Sequence, residues 1–369
     1  MGKTIWTKEK LDLLMAFSEN PELTKSDIAK KFKVTVDAID HTQRRYNIKH
    51  VVPEQSSSSY ANEFYGVHTD MIYSLKGILN KAEPYKLNKI SSKKVGDTLN
   101  IQFSDWHVGR TIKDEQGNTI YDVSSFKNMV DLYATELLKL LDKYISKGTP
   151  IKNVVIMSTG DICDGAGIFA SQETLSELSP PFQVTLAVES IQKIILALLE
   201  RKLNVTFYGV KGNHGNIKVH GKVVDPNANW DLMLYLMLDF WARDMLKSDK
   251  LIIKYSELDY YNFDNRGWNY HIRHIAPNQS ETAAGKAKFL GWAKKHDFDV
   301  LVYGHFHHWG AWDRSKITVI RGGALTASDE FAELLAEESE PIQMIWGCNE
   351  KRPVTFIYPL DLGKKEKRK

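Results

Sequence analysis

Apolar positions in the first fifty residues recur at helical spacing and predict three helices. The first of them contains Leu11, Leu14, Met15 and Phe17. The second spans Lys25–Phe32 and buries Ile28, Ala29 and Phe32. The third runs from about Val36 to Tyr46, and we expect it to bury Val36, Ile39 and Tyr46. Lys33-Val34-Thr35 is predicted to form the intervening turn, with Thr35 as the N-cap.

From Asp97 onward the pattern changes, because short apolar runs rich in β-branched residues alternate with helical stretches. The predicted strands are Thr98–Phe103, Asn153–Met157, Val205–Val210, Tyr270–Arg273, Val300–Tyr303, Ile317–Ile320, Pro341–Trp346 and Val354–Tyr358. The predicted helices are Phe126–Ile145, Gln183–Arg201, Trp230–Leu246, Thr282–Lys295 and Asp329–Glu338. This alternation predicts an α/β fold in which helices cover a sheet.

The chain is therefore divided into a small all-α domain (residues 1–50), a linker with a helix (51–96), an α/β domain (97–362) and a basic tail (363–369). Residues 96–362 hold 28 basic and 34 acidic groups, whereas residues 1–50 hold ten against seven and the tail holds five against one. An acidic body with basic ends fits a metal-binding core whose flanks contact a polyanion. Ordinary solvated surface charge is the alternative.

Composition favours a globular intracellular protein. The chain has 369 residues, of which 43% are hydrophobic and 26% charged. No run of about 18 apolar residues predicts a membrane span, and the start MGKTIWTKEK lacks the apolar stretch of a signal peptide. Because Cys163 and Cys348 cannot form a disulfide framework, a reducing cytoplasm is the expected location.

Polar side chains that bind metals follow five successive predicted strands. They are Asp105 and His107, Asp161 and Asp164, Asn213 and His214, His274, and His305 with His307. Sites in α/β sheets form outside the carboxyl ends of the strands, so we expect these side chains to meet. Their oxygen and nitrogen atoms are hard or borderline donors, suited to divalent cations.

The donor set fits two metal ions. Asp105, His107 and His307 would bind one ion, and Asn213, His274 and His305 the other. Asp161 would bridge two cations about 4 Å apart, which bind a water and convert it into a hydroxide nucleophile. Mn²⁺ is the expected metal, and Fe²⁺, Zn²⁺ and Mg²⁺ each suit part of the set.

Three assignments around this set carry alternatives. His214, outside the ligand set, would act as general acid on the leaving oxygen, and Asp164 would orient a ligand. His271 lies three residues before His274 and stays an alternative ligand. Scattered core histidines are the alternative to a metal site as a whole.

The ordered blocks D-x-H, GD-x-x-D, GNH, a lone His and GH-x-H, between Asp105 and His307, resemble the calcineurin-like metallophosphoesterase superfamily. The resemblance extends over about Asp97 to Asp361. It implies a two-sheet sandwich flanked by helices and an activity of phosphoester hydrolysis. Members often carry Asp or Glu after GNH, where this chain has Gly215, so that carboxylate is absent or comes from elsewhere.

Within this superfamily, Ser104–Gly109 (SDWHVG) is similar to the S-D-W/L-H-L-G block of SbcD-like DNA nucleases. About 62 residues follow His307, which leaves no room for the DNA-capping domain and partner-binding helices of that family. The chain is in this respect similar to stand-alone phosphoesterases of bacteriophages. That resemblance implies no dedicated ATPase partner, and a phage-encoded protein would act in the host cytoplasm.

The N-terminal residues Trp6-Thr7-Lys8-Glu9, together with Asp27–Phe32 and Ala38-Ile39, resemble Myb-like or helix-turn-helix DNA-binding domains. In such domains the third helix enters the major groove. The side chains then implied to contact DNA are Lys30, Lys31, Lys33, His41, Thr42, Arg44 and Arg45. Small three-helix domains also serve as protein-docking modules, which is the alternative.

Together these features predict a dinuclear-metal-dependent phosphodiester hydrolase, namely a DNA nuclease of endo- or exonucleolytic action. One alternative is a phosphodiesterase or phosphatase that acts on nucleotides or phosphoproteins. Another is a DNA-binding regulator whose metal domain is inert. The oligomeric state is left open.

Overall fold

The computed structural model describes residues 6–20, 22–50, 96–114, 116–146, 151–168, 172, 175–219, 222–223, 225–275, 283–326 and 340–363. Two compact units divide the chain, Met1–Ile90 and Ser91–Lys369. The predicted linker helix, the helix Asp329–Glu338 and the basic tail after Gly363 lie outside the described residues.

The first unit contains three helices: α1 (Lys8–Glu19), α2 (Lys25–Phe32) and α3 (Val36–Arg45). The side chains of Thr7, Thr24 and Thr35 cap their N-termini, and Lys33 turns the chain after α2 with a φ of 54°. Leu14, Ile28, Ala29 and Ile39 form the buried core. The three predicted helices, the turn and the Thr35 cap are thus present in the structure.

Two predicted core positions of α3 are wrong. Val36 and Tyr46 are 43% and 45% exposed, because each lies at an end of the helix. Thr42 and Gln43 are buried in their place. Their polar groups are satisfied, since the Thr42 hydroxyl donates to the Ala38 carbonyl (2.7 Å) and Gln43 Nε2 donates to Ser18 Oγ (2.8 Å).

In the second unit, the larger sheet that the described residues form has the strand order β15-β14-β1-β4-β5-β8. Its strands are β1 (Thr98–Phe103), β4 (Asn153–Ser158), β5 (Asn204–Gly209), β8 (Leu251–Tyr255), β14 (Ile342–Asn349) and β15 (Arg352–Asp361). The strands β1, β4, β5 and β8 run parallel, whereas β14 pairs antiparallel with β1 and β15 pairs antiparallel with β14. The carboxyl ends of β1, β4 and β5 therefore share one edge.

A second sheet has the strand order β12-β13-β11-β10-β9. Its strands are β9 (Tyr260–Asn265), β10 (Trp268–Arg273), β11 (Val300–Tyr303), β12 (Gly310–Arg314) and β13 (Ile317–Arg321). Two short hairpins also occur: β2 (Ile112–Lys113) with β3 (Thr119–Tyr121), and β6 (Lys218–Val219) with β7 (Lys222–Val223).

One apolar layer joins the two larger sheets. Val155, Met157, Tyr208 and Val210 from one sheet pack with Tyr270, Ile272, Val300 and Val302 from the other. Intervening side chains such as Val154 and Ile156 face the helices instead. This alternation is the period of two that a strand imposes, and it makes the predicted two-sheet sandwich.

Helices cover the outer faces: α4 (Val123–Ser146), α5 (Pro180–Glu200), α6 (Trp230–Phe240) and α7 (Ala283–His296). The prediction of one helix over Trp230–Leu246 is corrected, because Trp241–Leu246 is π-helical. Among the described residues α5 alone has the length and apolarity to cross a membrane. Half of its apolar window is buried, including Ile191, Ile194 and Ile195, which is typical of a core helix.

Candidate metal centre

The predicted ligands lie where the carboxyl ends of strands from both sheets meet. Asp105 and His107 follow β1, Asp161 follows β4, and Asn213 follows β5 in the larger sheet. From the second sheet come His274, directly after β10, and His305 with His307, after β11. The packing of the two sheets therefore builds the site from residues up to 202 positions apart, Asp105 to His307.

The first cluster contains Asp105, His107 and His307, whose donor atoms all lie within 4.8 Å of one another. Nε2 of His107 and Nε2 of His307 are 3.1 Å apart, and the latter is 3.6 Å from Asp105 Oδ1. Asp105 and His107 are fully buried. Two imidazole nitrogens and a carboxylate oxygen that converge in this way can hold a divalent cation.

The second cluster forms around His274, which is also buried. Nε2 of His274 lies 2.9 Å from both Asp161 Oδ2 and Asn213 Oδ1, and 3.3 Å from His305 Nδ1. Nδ1 of His274 faces the Thr159 carbonyl oxygen at 2.8 Å. With a proton on Nδ1, His274 would donate a hydrogen bond to this oxygen, and the Nε2 lone pair would point at the cluster. This is the usual arrangement of a metal-binding histidine.

Asp161 connects the two clusters. On one side its carboxylate lies close to the donor atoms of His274 and His305, and on the other side it lies close to those of His107 and His214. Oδ1 also accepts a hydrogen bond from the His214 backbone N–H (2.8 Å). The donor chemistry thus fits two divalent cations with Asp161 between them, and Mn²⁺, Fe²⁺, Zn²⁺ and Mg²⁺ all suit such a mixed set.

Burial and neighbouring charges set the protonation of this site. Burial lowers the pKa of His107 and the pKa of His307 to about 4 each, so both imidazoles are neutral at pH 7. Burial also acts to lower the pKa of His274, but the Asp161 carboxylate outweighs it and raises this pKa to about 9. A cation that binds here would therefore compete with a proton at His274.

The backbone at the site is strained. Asp105, His107, Asp161, His305 and His307 all have positive φ angles, between 45° and 76°. Such conformations cost about 1 kcal/mol or more for residues other than glycine, and they cluster at functional sites. Hydrogen bonds between the loops hold them: the His107 N–H donates to the Asp161 carbonyl, and the His305 N–H donates to Asp105.

Two glycines let these loops approach closely. A Cβ on Gly212 would lie 2.0 Å from Asp161 Oδ1, and a Cβ on Gly304 would lie 2.1 Å from Ser104 Oγ. Neither position leaves room for a side chain. The glycines that precede Asn213 and His305 are therefore required for the loops that carry the ligands to meet.

Asp164 contacts two histidines at once. Its Oδ1 lies 3.4 Å from His107 Nδ1 and 3.2 Å from His214 Nδ1. Burial raises the pKa of Asp164, but these contacts outweigh burial and hold it well below its usual range. Asp164, from the loop after β4, thus places a carboxylate beside His214.

Asp231, on the first turn of α6, is a structural element of the site that the sequence analysis missed. Its fully buried carboxylate accepts backbone N–H groups of Asp161 (2.9 Å), Ile162 (3.2 Å), Cys163 (3.1 Å) and Gly212 (2.9 Å). Burial and the Asp161 charge raise the pKa of Asp231 to about 6. The sequence offered one signal for this role: Asp231 is a single acidic residue at the otherwise apolar start of the helix, directly after the N-cap region at Asn229.

Gln343 on β14 supports the loop after β1 in a similar way. Its Oε1 accepts from the Ser104 N–H (3.0 Å) and from Trp106 Nε1 (3.2 Å), and its Nε2 donates to the Ser104 and Gly323 carbonyls. Sequence reasoning gave no indication of this role, because Gln343 occupies an ordinary inward position of a strand.

Other predicted residues lie elsewhere. His271 stacks on Tyr260 and contacts Asn262 Oδ1 (2.6 Å), so of the two alternatives the structure brings His274 to the cluster. Cys163 packs in the apolar core. In the first unit, six of the predicted DNA contacts are exposed: Lys30, Lys31, Lys33, His41, Arg44 and Arg45. The seventh, Thr42, is buried and is removed from the set.

The family model of the calcineurin-like phosphoesterases matches residues 101–309, more than half of the chain. Among curated protein sequences, no match to this chain was found. Similar solved structures include wild-type Vps29 with Zn²⁺ from Entamoeba histolytica, at 11% identity and a TM-score of 0.32, covering 72% of this chain and 100% of that one. A novel archaeal phosphodiesterase has 14% identity, a TM-score of 0.34 and coverages of 71% and 100%.

A predicted phosphoesterase from Streptococcus pneumoniae has 14% identity and a TM-score of 0.27, with coverages of 72% and 98%. Likeness at these scores carries no argument about substrate or mechanism.

Replacing Asp231 with Asn should weaken metal binding by about tenfold or more, because an amide NH₂ would face backbone N–H donors and loosen both site loops. Titration calorimetry with Mn²⁺ measures the change. Asp239→Asn on the same helix is the matched control, since Asp239 pairs with Arg243 at the surface (3.5 Å). Equal Mn²⁺ affinity for the two variants would contradict the role assigned to Asp231.

Proposed function

This chain belongs to the calcineurin-like phosphoesterase family, and we propose that it is a metal-dependent phosphodiesterase that cleaves DNA. The observation that carries the proposal is the position of Asp161, which belongs to the cluster with His274 and His305 and also lies beside His107 of the first cluster. Family membership supports metal-dependent phosphoester hydrolysis. The choice of DNA rests on the three N-terminal helices and on the SDWHVG block at Ser104–Gly109.

The chain's own residues divide into two sets. One cation would be held by Asp105, His107 and His307, the other by Asn213, His274 and His305, and Asp161 would contact both. Two divalent cations supply Lewis acidity, which neutralises charge on a phosphoryl oxygen and lowers the pKa of a bound water. Backbone hydrogen bonds and close glycine contacts hold the loops that carry these donors.

His214 is proposed as the general acid. Its Nδ1 faces Asp164 at 3.2 Å, and its ring lies against that of His107, with the centroids 4.4 Å apart. The Asp164 carboxylate would accept a hydrogen bond from Nδ1–H, which holds the ring in place and favours the imidazolium. A proton at Nε2 could then be given to the leaving oxygen as the P–O bond breaks.

The DNA-binding role is proposed for α2 and α3. Arg44 and Lys30 have side chains that are 82% and 78% exposed, and each is paired within its own helix, Arg44 with Asp40 (2.6 Å) and Lys30 with Asp27 (3.9 Å). Pairs this exposed are weak, so phosphate groups could replace the carboxylates. The third helix α3 would enter the major groove with His41, Arg44 and Arg45.

Replacing His214 with Ala should lower the rate of DNA cleavage by about 10² to 10⁴-fold while the metal content stays near two ions per chain. The loss should be far smaller for a bis-nitrophenyl phosphate ester, because its acidic phenol leaves without a proton. Rates on both substrates and metal analysis check this. Loss of a metal ion from H214A would instead make His214 a ligand.

The triple variant K30Q/K31Q/K33Q should reduce the salt dependence of duplex DNA affinity, since each lost phosphate contact lowers the slope of log K against log salt by about 0.9. Fluorescence anisotropy at several salt concentrations measures the slope. K8Q/K10Q, on exposed positions of α1, is the control. The same slope in both variants would remove α2 from the proposed DNA interface, and turnover of the aryl ester should be unaffected in either.

A further inference from the structure

A cavity of about 220 Å³ opens beside the second ligand cluster. Asn213 and His274 line it together with two cationic side chains, Lys211 and Arg273, and with Asp259. Because it is several times the volume of one water molecule, it has room for a phosphate group. Two proposed metal ligands thus share a cavity with two positively charged side chains that are not part of the metal centre.

Lys211 is already satisfied by its surroundings. Its Nζ donates to the carbonyl oxygens of Pro226 (2.7 Å) and Glu257 (2.8 Å) and lies 3.5 Å from Asp259. The side chain is only 8% exposed. Through these contacts Lys211 links the loop after β5 to the loop before β9.

Arg273 is held less tightly than Lys211 by the residues that the structure describes. Its guanidinium is half-buried and stacks over Trp292, 4.8 Å from the ring centroid. Its Nε is buried without a hydrogen-bond partner, and in the described part of the chain no carboxylate lies within 4.0 Å of the guanidinium. The Asp259 carboxylate lines the same cavity and acts on Arg273 electrostatically, but the two form no ion pair. The half-buried guanidinium is therefore suited to receive an anion from a ligand.

The position of Arg273 identifies the anion. Arg273 is the last residue of β10 and directly precedes His274, and both line the same cavity. The scissile phosphate would bind at the metal clusters. An anion that binds beside Arg273 would then be a second phosphate of the same nucleic-acid strand. We propose that Arg273 binds a phosphate group adjacent to the scissile phosphodiester and thereby favours polynucleotides over simple phosphodiesters. This inference rests on the proposed function.

The stacking on Trp292 explains why arginine fits this position. The Trp292 ring lies 4.8 Å from the guanidinium carbon, and this cation–π contact would restrict the guanidinium when a phosphate binds. A lysine could supply the charge but not the stacked, forked donor geometry. Arg273→Lys should therefore restore only part of the loss caused by Arg273→Gln.

The test compares an oligothymidylate, which has flanking phosphates, with the nitrophenyl ester of thymidine 5′-phosphate, which has none. In R273Q, KM for the oligothymidylate should rise about ten- to a hundredfold, the usual loss for a charge-assisted hydrogen bond. The nitrophenyl ester should be hydrolysed within about threefold of the wild-type rate. R266Q is the matched control, because Arg266 lies in the β9–β10 turn and pairs with Glu350.

Inhibition provides a readout that does not require DNA cleavage. Thymidine 3′,5′-bisphosphate should inhibit hydrolysis of the nitrophenyl ester more strongly than thymidine 5′-monophosphate in the wild type, and R273Q should lose this preference. Equal preference in the two proteins, or an equal loss on both substrates in R273Q, would overturn the second phosphate site. A wild type that shows the preference but leaves oligothymidylate intact would contradict the DNA substrate and keep the phosphate site.

Discussion

The Asp161 carboxylate is the interaction on which this structure depends. It follows β4 in the larger sheet, yet its Oδ2 lies 2.9 Å from Nε2 of His274, which follows β10 in the other sheet. Its Oδ1 accepts the backbone N–H of His214 from the loop after β5. One side chain thus joins three loops and both sheets, and the buried layer around Met157 and Val302 holds the sheets at the separation that this requires.

Such convergence has a cost, and the surrounding structure offsets it. Five ligand positions have left-handed backbone conformations, and several imidazoles and carboxylates are withdrawn from water. Buried polar groups that are not ligands offset this unfavourable free energy. Asp231 accepts hydrogen bonds from four backbone N–H groups, and Gln343 bonds both the N–H and the carbonyl of Ser104. These groups support the loops that carry the donors and fix their positions relative to one another.

Sequence patterns predicted the strands that lead to the site, because buried parallel strands give short, continuous apolar runs. Thr98–Phe103 and Val300–Tyr303 were predicted with the same bounds that the structure has. Of the four edge strands in the two larger sheets that the described residues form, β15 was predicted in part, whereas β8, β9 and β12 were missed. The sequence of β9 (YYNFDN) has no clean alternation of apolar and polar residues. Asp231 and Gln343 could not be predicted, since their roles depend on tertiary contacts of ordinary helix and strand positions.

The choice between His271 and His274 shows the same limit. Both follow from the sequence as candidates, but only the fold separates the His271 side chain, stacked on Tyr260, from the cluster at Asp161. The most direct test of a two-cation centre at Asp161 is the anomalous scattering of Mn²⁺ in crystals of the full chain. We expect two peaks about 4 Å apart that both contact Asp161. A single peak, or peaks away from Asp161, would contradict it.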